Sequence, residues 1–70
     1  MNHVKVFYAR PNHFFDPGTE ADLVDDYRDG TGMFLGIRDG HFEQVVCKFT
    51  EFTVKVIPEQ DARSIRGRYG

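Results

Sequence analysis

Hydrophobic and polar residues alternate with a period of two along most of this chain, and a set of short strands follows from that rhythm. In His3 to Ala9, Val4, Val6 and Tyr8 alternate with His3, Lys5 and Phe7, the pattern of a half-buried strand. Arg10-Pro11-Asn12 ends it, because proline has no N–H for a ladder and restricts the residue before it. Further on, Met33, Leu35 and Ile37 alternate with Phe34, Gly36 and Arg38 and run into Asp39-Gly40. That dipeptide suits a two-residue type I′ turn, in which both central residues need positive φ. The turn predicts a hairpin with Ile37 opposite Phe42, Leu35 opposite Gln44 and Met33 opposite Val46, and with Phe34, Val45, Cys47 and Phe49 on the other face. Both faces carry apolar residues, so a two-layered or closed arrangement is expected rather than a one-sided sheet.

The remaining segments are shorter. Asp16-Pro17-Gly18 is a turn, since proline presets one φ and glycine accepts a positive one. Residues 19–25 are taken as a short strand with Ala21 and Leu23 on one side; the competing reading is one helical turn capped by Thr19, with Leu23 and Tyr27 four apart. Asp29-Gly30-Thr31-Gly32 punctuates before the hairpin. After the link Thr50-Glu51, Phe52, Val54 and Val56 alternate with Thr53, Lys55 and Ile57 until Pro58. Glu59-Gln60-Asp61-Ala62 is long enough for a 3₁₀ turn, and Ile65 is expected to enter the core as a last short strand before a basic tail, residues 66–70.

Composition narrows the class. A chain of 70 residues is one domain, residues 1–70, and buries only about 60% of the surface its unfolded form exposes. Seven phenylalanines and three tyrosines supply the large side chains such a core requires. Cys47 is the sole cysteine, so no disulfide forms within the chain; together with the lack of an apolar h-region or a membrane-length apolar run, this predicts a cytoplasmic protein without a membrane partner. Charge is unevenly spread. Residues 16–29 carry six acids against Arg28, whereas residues 63–70 carry Arg63, Arg66 and Arg68 and no acid.

The order of these elements resembles the SH3-like small barrels, a group that includes KOW and Tudor modules. The likeness rests on Pro17-Gly18-Thr19, on Gly30 through Gly36, on the Asp39-Gly40 turn, and on Val54-Lys55-Val56-Ile57-Pro58 followed by residues 61–65. It implies an all-β, five-stranded barrel over roughly residues 17–66, with residues 3–9 as an extra N-terminal strand and a 3₁₀ turn near the C-terminus. Peptide-binding SH3 domains need a groove tryptophan, which this chain lacks, so proline-rich ligands are not expected. Tudor modules use an aromatic cage, for which Tyr8, Tyr27 and Phe34 are the available rings. Type II dihydrofolate reductases share this scale of barrel, but Val54-Lys55-Val56-Ile57-Pro58 lacks the glutamine and tyrosine of their active-site strand.

Candidate chemistry is sparse. His3, His13, His41 and Cys47 show no metal-ligand spacing, Cys47 lies in an apolar strand away from any oriented base, and Gly30-Thr31-Gly32 precedes a strand rather than a helix, so no metal, cofactor or catalytic residue is expected. The leading expectation is a non-enzymatic module, of the kind a phage or mobile element uses as an accessory or inhibitor. It would dock on a protein partner through Asp22, Asp25, Asp26 and Tyr27, with an exposed Phe34 as apolar anchor. One alternative is nucleic-acid binding by Arg63, Arg66, Arg68 and Tyr69, with Lys5 and Arg10 in support; another is a homo-oligomer formed through strand 3–9.

Overall fold

The computed structural model of the chain describes residues 2–11 and 14–62. Five antiparallel strands form one sheet: β1 (His3–Ala9), β2 (Glu20–Asp26), β3 (Thr31–Arg38), β4 (His41–Lys48) and β5 (Phe52–Pro58). A 3₁₀ turn at Phe49–Glu51 joins β4 to β5, and a second at Glu59–Asp61 follows Pro58. The strand order is β4-β3-β2-β1-β5, so the described sheet is open, with β4 and β5 as its edges, rather than the closed barrel expected. Residues 3–9 form the expected N-terminal strand. They are one of the five and lie inside the sheet, paired with β5 along their whole length and with β2 at Phe7 and Tyr8. The His3–Val6 part of this strand has β5 as its paired neighbour in the described sheet. The strand expected at Ile65 and the tail lie outside the described residues.

The hairpin forms because Asp39 and Gly40 adopt φ of 52° and 80°, the left-handed pair that a type I′ turn demands. Its ladder runs unbroken from Arg38↔His41 to Thr31↔Lys48 and includes Ile37↔Phe42, Leu35↔Gln44 and Met33↔Val46. Residues 20–26 are a strand rather than a helical turn, as the β-rich pattern around them favours.

The core is a cluster of phenylalanines. Phe34 is fully enclosed, at 0% exposure, and its ring stacks on Phe52 with centroids 4.2 Å apart. Phe7 and Phe49 meet Phe34 edge-on at 5.3 and 5.5 Å, an arrangement aromatic quadrupoles prefer. Ala9, Phe15, Ala21 and Cys47 are the other buried members of this cluster, with Phe49 partly buried against it. In strand order β3 and β5 are three positions apart, or about 14 Å across a flat sheet. Contact between Phe34 and Phe52 therefore requires the sheet to curl tightly over its inner face. Two glycines of β3 make room: a Cβ on Gly36 would fall 2.6 Å from the Phe15 ring, and one on Gly32 would fall 2.8 Å from the Asp25 carbonyl oxygen.

The segment between β1 and β2 is tied to both ends of this structure. The Ala9 N–H donates to the Thr19 carbonyl at 2.8 Å and the Asp16 N–H to the Ile37 carbonyl at 2.8 Å, which holds Phe15 under β3. The Asp16 carboxylate also accepts from the Asp39 N–H at 3.1 Å and so braces the hairpin turn.

Replacing Phe34 by alanine is expected to cost about 3–5 kcal/mol. A domain of this length holds roughly 4–10 kcal/mol in total, so urea denaturation should show Phe34→Ala largely unfolded in water or close to it. Phe42→Ala, on the opposite face, should keep its midpoint near that of the native chain.

Candidate partner-binding face

The face away from the phenylalanine cluster follows from the register. Met33, Leu35 and Ile37 of β3 share it with Phe42, Gln44 and Val46 of β4, since directly paired residues project to the same side. Leu35 is buried there, whereas Phe42 is 42% and Val46 49% exposed. The result is an apolar stripe across two strands. At its end a shallow pocket of about 320 Å³ is lined by Thr19, Ile37, Gly40 and Phe42.

Carboxylates border this stripe because β2 is irregular. Asp22 pairs with Leu35 and Asp25 with Met33, so the ladder shifts between Leu23 and Asp25 and leaves Val24 as an extra residue. In a regular strand Asp22 and Asp25 would project to opposite faces. The bulge places both on the outer one. Tyr8 and Glu20 pair beside them on the same side, and the Lys55 ammonium lies 5.3 Å from the Tyr8 ring centre.

The five partner-binding residues expected from the sequence are thus divided. Asp22 and Asp25 share the outer face with the stripe. Asp26 pairs with Gly32 in the next register position, on the inner side, and its carboxylate accepts from the Arg28 N–H at 2.8 Å. Tyr27 is exposed just beyond β2. Phe34 is not an exposed anchor: it is the most enclosed side chain of the core, because the hairpin turned the face bearing Phe34, Val45 and Cys47 inward. An aromatic cage of Tyr8, Tyr27 and Phe34 is accordingly not formed, with Tyr8 outside and Phe34 inside. Arg63, Arg66, Arg68 and Tyr69 lie outside the described residues. The outer-face apolar residues that the sequence did not single out are Ile37, Phe42 and Val46; the signal for them was the apolar character of both hairpin faces.

Other candidates are absorbed by structure. The Asp29 carboxylate accepts from the Thr31 hydroxyl at 2.5 Å and from the Thr31 N–H at 2.9 Å, bonds that hold it below the usual carboxylate range. They help close the turn that carries Arg28 at φ 60° and Gly30 at φ 91°. Burial, and secondarily the Glu51 carboxylate, pushes the Cys47 thiol up to about 11. A thiol that stays protonated is a poor nucleophile. Among the described residues no three His, Cys, Asp or Glu side chains gather as a metal site, and no helix is long and apolar enough to cross a membrane.

Comparison with known protein families, with curated proteins and with solved structures finds no match to this chain.

Two titrations probe these assignments. Thr31→Val should move the Asp29 carboxyl upward toward 3.8, followed by NMR of the side-chain carbon; the native hydrogen bonds stabilise the turn above that pH and are lost as pH falls through the lowered value. Cys47 titrates in the opposite sense. Its thiol is raised on folding, so its contribution is complete below pH 9.0 and is lost as pH rises toward about 11. Iodoacetamide labelling followed by mass spectrometry should leave Cys47 unmodified in the native protein and modify it in urea.

Proposed function

We propose that this chain is a non-enzymatic binding module whose outer β2–β3–β4 face docks on a protein partner presenting an apolar side chain flanked by lysine or arginine. The observation that carries this reading is the stripe of half-buried Ile37 and exposed Phe42 and Val46 beside Asp22 and Asp25, which the bulge at Val24 brings to the same face. Apolar residues bordered by carboxylates form an effective docking surface: the apolar part gives affinity, and the charge steers the approach and selects the partner. The same carboxylates repel phosphates, so the face favours a basic protein over nucleic acid. A role as accessory or inhibitor of an enzyme with a basic surface fits this chemistry.

The proposal extends to the architecture. The antiparallel order β4-β3-β2-β1-β5, with the first strand between the second and the fifth and a 3₁₀ turn before the last strand, supports an SH3-like arrangement. In that reading residues 3–9 are its first strand.

The test is retention of a discrete protein from nuclease-treated host lysate by the tagged chain, compared among variants that keep the native circular dichroism. Asp22→Lys combined with Asp25→Lys should abolish retention, as should Val46→Glu, whereas Asp61→Lys on the second 3₁₀ turn should not. Equal retention by all four proteins, or a partner lost on nuclease treatment, would overturn the proposal.

A further inference from the structure

The two edges of the sheet are not equivalent. β5 carries Lys55 at its centre and ends in Pro58, two features that discourage the addition of another strand. β4 has neither a central lysine nor a proline, and its eight-pair ladder with β3 contains no bulge. It is a long, regular edge. The two-residue turn makes Arg38↔His41 the hydrogen-bonded pair next to the loop, so alternation along β4 turns the main-chain N–H and C=O of Gln44 and Val46 away from β3. On the outer side this edge presents Phe42, Gln44 and Val46, a pattern that is apolar, polar, apolar and symmetric about Gln44.

We infer that a second copy of this chain pairs antiparallel along β4, about a twofold axis at Gln44, to give a continuous ten-stranded sheet. In this register Phe42 of each copy faces Val46 of the other, the two Gln44 amides face each other, and Glu43 faces Val45, so no like charges are opposed. The neighbouring registers are poorer. Centring on Glu43 opposes two carboxylates, centring on Val45 sets Phe42 against Lys48 and Gln44 against Val46, and centring on Val46 leaves Phe42 beyond the other copy's strand. The dimer lays the two outer stripes side by side. It does not depend on the docking of a basic partner, although both draw on Phe42 and Val46 of β4.

The full chain is to be examined by sedimentation equilibrium from low micromolar to millimolar concentration. The native chain should be a monomer–dimer system. Gln44→Lys, which places two ammonium groups across the axis at an exposed position, should weaken association by about tenfold or more and leave the melting profile of the dilute monomer unchanged. A cysteine at position 44 gives a second readout, since directly opposed residues about 5.5 Å apart lie within disulfide range. Gln44→Cys should form a covalent dimer on mild oxidation, and Val46→Cys, which faces Phe42, should not. A native chain that stays monomeric throughout, a dimer indifferent to Gln44→Lys, assembly beyond the dimer, or equal cross-linking at positions 44 and 46 would each overturn the proposal. Should Gln44→Lys fail to fold, the cross-linking pair decides.

Discussion

The stacking of Phe34 on Phe52 is the contact on which the rest of the molecule depends. Their strands are three positions apart in the sheet, yet the ring centres are 4.2 Å apart. No flat sheet permits that distance, so the curl, the tight fit at Gly32 and Gly36 and the position of Phe15 under β3 are consequences of closing this one contact. Phe7 and Phe49 then lean on Phe34 from its edges, and the cluster gives this small domain its core.

Curling a sheet over one face spreads the other. On the spread face, side chains that would be neighbours in a flat sheet have more room, and the chemistry presented there depends on small departures from regularity. One extra residue at Val24 reverses the side on which Asp25 projects and joins it to Asp22. The same departure sends Asp26 to the inner side, where its carboxylate serves the turn through Arg28 rather than the outer surface. A run of acids that looks uniform in sequence is therefore divided by the backbone into surface-forming and turn-forming members.

Much of the local structure was legible. The Asp39-Gly40 turn has one conformation that joins two twisted strands well, and its demand for two positive φ values sets every pair of the hairpin. The span of β1 was equally readable, bounded by Arg10-Pro11. What could not be read was which hairpin face turns inward. Register gives pairs, not direction; with Phe34 on one face and Leu35 on the other, the choice is made by Phe7 and Phe52, which are remote in sequence. The bulge left no mark either, because Leu23-Val24-Asp25 contains neither the glycine nor the proline that commonly signals one. Nor does periodicity reveal that β1 sits between β2 and β5, since that placement is set by contacts across more than forty residues.

The outer stripe is not simply surplus hydrophobicity. Leu35 at its centre is buried without joining the phenylalanine cluster, so this side of the hairpin holds a second, smaller apolar group. Its exposed members, Phe42 and Val46, fall on β4, an edge strand of the sheet formed by the described residues. Along β5, by contrast, exposed Val54 and Val56 flank a lysine and run into a proline. Scattered apolar residues on a surface need no explanation, but apolar side chains gathered along a sheet edge combine the two requirements of strand-mediated recognition: main-chain groups to pair and side chains to bury. That coincidence is why both the proposed docking face and the proposed self-pairing draw on β4, backed by the aromatic cluster.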